Sequence, residues 1–261
     1  MRNHIYVDNV DLAEFGVYCS GQGTFTAPEK EVTFYDIPGV NGSRPGSSER
    51  LKNIVVTYPC FIFTQFKENL TRLRSFLLSR RGLVRIADTY HDDEFRLGMA
   101  LGPIDPDVNR KNDSGEFNLQ FTCLPQRWLV SGEVVQTLEV EDKAFGASLT
   151  IDNPTYFDSQ PLLHIFGDGG RVYVSKLNAA HPTEIVIDSE LTVTDFFVDC
   201  QTMAIYSGDE NLSASVGFER YDKGWLRGVD APVLVSGQNS VGVNPGGNIS
   251  KVEIMPRWWR A

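Results

Sequence analysis

Only one stretch of this 261-residue chain repeats its apolar residues at helical spacing. Between Gln65 and Arg81, Phe66, Leu70, Leu73 and Leu77 fall at i, i+4, i+7 and i+11, and Phe76 widens the stripe. The spacing predicts a helix over about 65–81. Thr64 is placed to cap it, Gly82 to end it, and Arg80 and Arg81 to face its C-terminal dipole. Almost everything else alternates polar and apolar, or runs β-branched and aromatic, in short pieces. Such pieces lie at 31–37, 54–58, 94–101 and 116–124, then at 161–166, 171–174, 184–187, 203–206 and 232–235. Short strands separated by Gly, Asn and Asp turns point to sandwiches or barrels. The expected fold class is therefore all-β with one helix: an N-terminal β-sandwich carrying the amphipathic helix, then a second β-sandwich.

The pattern breaks between about 127 and 140, where Cys123 to Trp128 gives way to Ser131-Gly132 and a fresh strand begins at Val134. Two domains follow, 1–132 and 133–261. Charge divides at the same place. Residues 1–130 hold 15 Lys and Arg against 16 Asp and Glu, whereas 131–261 hold 9 against 18. An acidic second half argues against tight, stationary nucleic-acid binding, which needs phosphate neutralisation. It is compatible with a surface past which DNA slides. Within the first domain, Asp36 to Arg50 is too rich in Pro, Gly, Ser and Asn for a strand interior. It reads as an arm over about 38–50, with Arg44 and Arg50 as candidate contacts to a partner.

The catalytic inventory is thin. There is no G-x-S-x-G elbow and no H-E-x-x-H helix. The histidines His4, His91, His164 and His181 are scattered, and His164 sits on a strand where a hydrogen-bonded structural role is expected. No glycine-rich piece bridges a strand to a helix as a phosphate cradle requires. The sharpest metal candidate is Asp105, Asp107, Asn109, Asp113 and Glu116, spaced like the liganding positions of a calcium loop. Arg110 stands where that loop wants glycine, and strands flank it instead of helices, so a polar hairpin tip is the competing reading. His91-Asp92-Asp93-Glu94 could offer paired carboxylates to a glycosidase, or could be only the turn before the strand at Phe95. Cys19, Cys60, Cys123 and Cys200 stand apart among strand residues and read as buried free thiols. The segment from Met1 to Asp8 enters an alternating pattern directly, so synthesis without an apolar leader is expected. No apolar run reaches the ~18 residues of a membrane helix. No cofactor and no enzymatic activity are expected.

What remains are candidates for docking. The chain ends in Pro256-Arg257-Trp258-Trp259, and two adjacent indoles demand burial. Trp258 and Trp259 either pin the terminus against a domain core or meet a neighbouring subunit. Arg72, Arg74, Arg80 and Arg81 make a basic helix face that is either solvated or a subunit contact. Tyr221, Trp225 and Arg227 lie in a turn-rich piece of the second domain and are candidate sugar contacts.

Several motifs occur together and in order: Tyr35-Asp-Ile-Pro-Gly-Val-Asn-Gly42 before the arm, Asn153-Pro-Thr155, Pro245-Gly-Gly-Asn248 and Pro256-Arg-Trp-Trp259. In this arrangement the chain resembles, over nearly its whole length, the distal tail proteins (Dit) of siphophages that infect Gram-positive bacteria. That resemblance implies a structural virion protein assembled in the host cytoplasm. The N-terminal domains would close into a homo-hexameric ring through helix and arm, and the C-terminal domain would be a galectin-like sandwich projecting outward. The ring would join the tail tube to the tail-tip or tail-associated lysin protein, with a receptor-binding protein as a further partner and DNA only in passage. Larger relatives carry inserted carbohydrate-binding modules, for which this chain has no room. The alternative is a carbohydrate-binding module for attachment to the host wall.

Overall fold

The computed structural model describes residues 3–21, 24–46, 50–177, 182–189, 191–222, 225–228 and 230–261, with backbone alone at 221, 222 and 225–228. The chain forms two compact units, Met1–Arg127 with Ala261, and Trp128–Arg260. The break falls ahead of the expected residue 132 for a local reason. The Leu129 N–H donates to the Trp258 carbonyl at 2.8 Å, and the Arg257 N–H donates to the Gly132 carbonyl at 2.8 Å. Residues 128–132 thus belong with the end of the chain.

The first unit holds β1 (Ile5–Val7), β2 (Val10–Asp11), β3 (Val17–Cys19), β4 (Phe34–Tyr35), β5 (Arg44–Pro45) and β6 (Ile54–Ile62). After these come α1 (Phe66–Ser79), β7 (Val84–Asp88), β8 (His91–Ala100), β9 (Asp107–Asn109) and β10 (Ser114–Leu129). Its sheet runs β2-β1-β7-β8-β10-β6-β3, with β9 added on β10. Strict alternation sets the register. Ile54, Val56, Tyr58 and Cys60 of β6 lie opposite Cys123, Phe121, Leu119 and Phe117 of β10, and all eight are buried. Pro59 fits within β6 because its carbonyl accepts from Ser20 at 3.1 Å, so its missing donor falls beside the end of β3. Leu70, Leu73 and Leu77 of α1 complete this core.

The helix ends differ from the sequence expectation. Thr64 does not cap α1. Gln65 takes that position in the left-handed region (φ 51°) with no side-chain cap bond, and the Thr64 carbonyl accepts from Asn69 Nδ2 at 3.0 Å. The chain must turn sharply off β6, and the left-handed residue makes that turn. At the other end Arg80 is already extended (φ −76°, ψ 138°), so the helix stops before Gly82.

The second unit is a sandwich of two antiparallel sheets. Its strands are β11 (Gln136–Glu139), β12 (Ala147–Asn153), β13 (Leu162–Gly167), β14 (Gly170–Lys176), β15 (Thr183–Ile187), β16 (Asp195–Asp199) and β17 (Ala204–Ser207). They continue with β18 (Glu210–Asn211), β19 (Val216–Asp222), β20 (Trp225–Gly228), β21 (Gly237–Val243), β22 (Ile249–Met255) and β23 (Trp259–Arg260). One sheet runs β11-β22-β13-β16-β17-β18, the other β12-β21-β14-β15-β19-β20. Their inward residues, among them Leu163, Ile165, Phe196, Val172, Ile185 and Val241, form one shared core. Among the described residues no helix is long and apolar enough to cross a membrane.

Candidate assembly surfaces

Residues 29–46 and 50–52, mostly exposed, pair as a two-stranded ribbon. Lys30 bridges Leu51, Glu31 N–H donates to Arg50 O at 2.9 Å, and β4 pairs β5 through Phe34 with Pro45 and Tyr35 with Arg44. At the tip, Val40 N–H donates to Ile37 O, and Gly39 and Gly42 adopt φ values of 79° and 81° that favour glycine. Of the expected 31–37 strand only two residues are strand, and they are not core. Phe34 is 64% exposed and Tyr35 60%, with Ile37 and Val40 also exposed. Arg44 is exposed within β5, and Arg50 meets Glu31 at 3.3 Å. Beside these two candidate arginines the ribbon also exposes an aromatic pair that the sequence pattern places in a strand. The missed signal was the turn-rich stretch at 36–50, which leaves β4 no further strand to pair with. A two-stranded ribbon with both faces in water is marginal by itself.

The arginines of α1 are largely occupied within the first unit. Arg72 lies over the Phe15 ring at 5.4 Å, and Arg74 Nη2 donates to Ile104 O at 2.6 Å. Arg80 pairs with Asp8 at 2.8 Å and covers Phe76 at 4.4 Å. Arg81, just past the end of α1, is exposed, and Leu78 in the last turn of α1 is 80% exposed. Elsewhere in the unit, Phe61 and Phe63 line an open cleft of about 860 Å3 together with the Asp107–Lys111 hairpin.

The C-terminal segment is used inside the second unit. Trp258 is 3% exposed within its core, which puts it out of reach of any partner. Gly132 lies beneath it so closely that a Cβ there would come within 2.3 Å of the Trp258 amide nitrogen. Trp259 stacks on Phe157 at 4.2 Å and donates its indole N–H to Asp158 O at 3.0 Å. Arg257 forks onto Asp199 through Nη1 at 2.7 Å and Nη2 at 3.3 Å. Burial pushes the Asp199 carboxyl up. The hydrogen bond and charge of Arg257, with the Gln201 and Thr202 amides, outweigh it and hold the group below its usual range.

The remaining sequence candidates do not converge into a chemical site. Asp107 and Asn109 lie on β9, Asp113 in the turn and Glu116 on β10 opposite Asp107; among the described residues no group of three His, Cys, Asp or Glu could hold a metal. His91 to Glu94 are not a turn but the start of β8. Glu94, 5% exposed, points inward to pair with Arg127 at 3.0 Å, whereas Asp92 and Asp93 are exposed. Asp93 and Glu94, neighbours on the strand, face opposite sides, and Glu94 is already paired with Arg127, so the two do not form a catalytic pair. All four cysteines are free and buried. Burial raises each thiol, to about 11 for Cys19 and Cys123 and about 12 for Cys200, so no thiolate nucleophile exists near neutrality. His164 is held by Asp195 and Glu253 on the outer face of a sheet. Tyr221, Trp225 and Arg227 fall in the β19–β20 hairpin, and their side chains lie outside the described residues.

No family model and no curated protein sequence matches the chain. Among solved structures it is similar to the Dit (gp 19.1) protein of SPP1, described as a paradigm of the hub adsorption apparatus in phages infecting Gram-positive bacteria. That match has a TM-score of 0.66 and 15% identity over 97% of each chain. A chain of the phage P2 baseplate in its activated conformation with calcium matches with a TM-score of 0.51 and 10% identity, again over 97% of each chain. At such identities the likeness is one of fold, and it spans both units.

Proposed function

We propose that this chain is a structural hub of a phage tail, a distal tail protein that acts by being joined to copies of itself and to other virion parts. The observation that carries the reading is the ribbon of residues 29–46 and 50–52. It exposes Phe34, Tyr35, Ile37 and Val40 with no second layer of the first unit behind them. Monomeric proteins rarely project paired aromatics on an isolated hairpin, because the apolar area stays in water and the unpaired strand edges invite association. A neighbouring copy in a closed ring supplies both an apolar surface and strand edges. The likeness in fold to solved hub and baseplate chains supports the same reading.

In this reading the first unit closes into a hexameric ring, with the ribbon, Leu78 at the end of α1 and Arg81 just beyond it reaching the next subunit. The ring sits between the tail tube and the tail-tip or tail-associated lysin protein, and DNA passes through its channel. The acidic second unit is the galectin-like sandwich that projects from the ring, open to a receptor-binding protein. Native mass spectrometry and negative-stain microscopy of the purified chain test this. Rings of six copies, lost in a Phe34→Ser, Tyr35→Ser double variant that still folds, are expected. Monomers alone at every concentration and salt would refute it.

A further inference from the structure

The two sheets of the second unit treat their outward rings in opposite ways. On one, His164, Phe197 and Tyr206 form a single cross-strand row with ring centroids 4.0 and 5.6 Å apart and nearly parallel planes. Their faces are spent on one another, and edges meet the solvent. On the other sheet, Tyr173 has no stacked ring beside it among the described residues. Its cross-strand neighbour is Gly242, and a Cβ built there would lie 2.4 Å from the Tyr173 Cζ and hydroxyl oxygen and 2.6 Å from Cε1. The phenol therefore lies down over the glycine. One face rests on the sheet and the other is turned outward, an arrangement only glycine permits at that position.

Polar groups are fixed beside this ring. Glu184 is its partner on β15, and Glu219 follows across on β19. Arg171 Nη1 donates to Glu184 Oε2 at 2.7 Å and to Glu219 Oε2 at 3.0 Å, and Asn244 Nδ2 donates to Glu184 Oε1 at 3.2 Å. The cluster is thus ordered before any ligand arrives, which lowers the entropy cost of binding. Next to the ring on its other side the face is low, built from Ser148, Thr150 and Ser240.

We propose that this face binds a neutral saccharide. Tyr173 stacks on the apolar face of a sugar ring, while Arg171, Glu184 and Asn244 exchange hydrogen bonds with its hydroxyls. One outward ring face beside preordered planar donors and acceptors is what such a ligand requires, since it offers C–H and O–H groups together. Nucleic acid is disfavoured, because two carboxylates surround the one guanidinium. A protein partner would need a larger apolar anchor than one phenol among serines and threonines. The site lies in the second unit and the ribbon in the first.

The test titrates the full chain with soluble neutral oligosaccharides of glucose, galactose, rhamnose and N-acetylglucosamine, read by saturation-transfer NMR. At least one series binds saturably. Tyr173→Ala weakens it by about tenfold or more, Tyr173→Phe retains it, and Arg171→Met weakens it. Gly242→Ala lifts the ring while leaving every polar group in place, and it lowers affinity as Tyr173→Ala does. Thermal melting confirms that each variant is folded; should Tyr173→Ala fail to fold, Tyr173→Leu replaces it. The proposal is overturned if none of the four series binds, or if binding survives Tyr173→Ala unchanged. Binding lost in Trp225→Ala but kept in Tyr173→Ala overturns it equally, by moving the site to the β19–β20 hairpin. Subunit mass is measured in parallel, so a missing sugar site and a missing ring are distinct results.

Discussion

Phe34-Tyr35 and Trp258-Trp259 are two adjacent aromatic pairs of the same chain with opposite fates. Trp258 is 3% exposed, whereas Phe34 and Tyr35 are 64% and 60% exposed. Residue type does not explain this, since indole and phenyl rings gain comparably from burial. The difference is what lies within reach. At the chain end, Arg257 adopts φ 58° and forks onto Asp199, which turns Trp258 into a core already lined by both sheets and lays Trp259 on Phe157. The ribbon has two strands and, among the described residues of its own unit, no second layer over Phe34 and Tyr35. The lesson is that an aromatic pair signals a need for a partner surface without saying which molecule supplies it.

Four experiments break or sharpen that contrast. Trp258→Ala removes a buried indole, and a loss of about 3–5 kcal/mol is expected from the melting of the second unit. A loss below ~1 kcal/mol would mean the segment is not a core element after all. Gly132→Ala forces a Cβ against the Trp258 backbone, so chemical denaturation should register about 1–3 kcal/mol of destabilisation from overpacking.

Arg257→Ala frees the turn that aims Trp258, at a cost of about 1 kcal/mol near neutral pH, discounted for partial exposure of the pair. Asp199 is depressed in the folded state, so its contribution is present above its unfolded pKa of about 3.9 and lost as pH falls through the folded value. The gap between wild type and variant should therefore hold from neutral pH to about 5 and close in stronger acid. A gap that instead closes between pH 6 and 8 would remove Asp199 from the account. Smallest of all, compared under conditions where both are monomeric, the Phe34→Ser, Tyr35→Ser double variant should change melting by less than ~0.5 kcal/mol, since neither ring has a core to leave. A large loss there would show that the ribbon is packed on its own unit.

Legibility in the sequence follows the range of the interactions. The α1 stripe was readable because Phe66, Leu70, Leu73 and Leu77 all lie within a few turns of one another. The strand halves of β6 and β10 were readable because period-two alternation is local. Capping propensity pointed to Thr64, but the turn off β6 puts the left-handed Gln65 at the cap instead. His91 to Glu94 looked like a turn because of its charges. Only the position of Arg127, 33 residues away from Glu94, reveals why a glutamate can face inward. In the first unit the turn-rich arm was legible, but the exposure of Phe34 and Tyr35 was not, because their stretch resembles an ordinary core strand. The flat Tyr173 was invisible because Gly242 lies on another strand, paired with it only in the folded sheet.

The amino-acid sequence by itself determined that this chain is built almost wholly from strands with one amphipathic helix, because periodicity acts between residues close in the chain. Only the tertiary structure decided which aromatic residues have a layer to bury against, which charges are spent inside a unit and which ring faces meet water. Those are properties of two surfaces brought together, and no single segment encodes both.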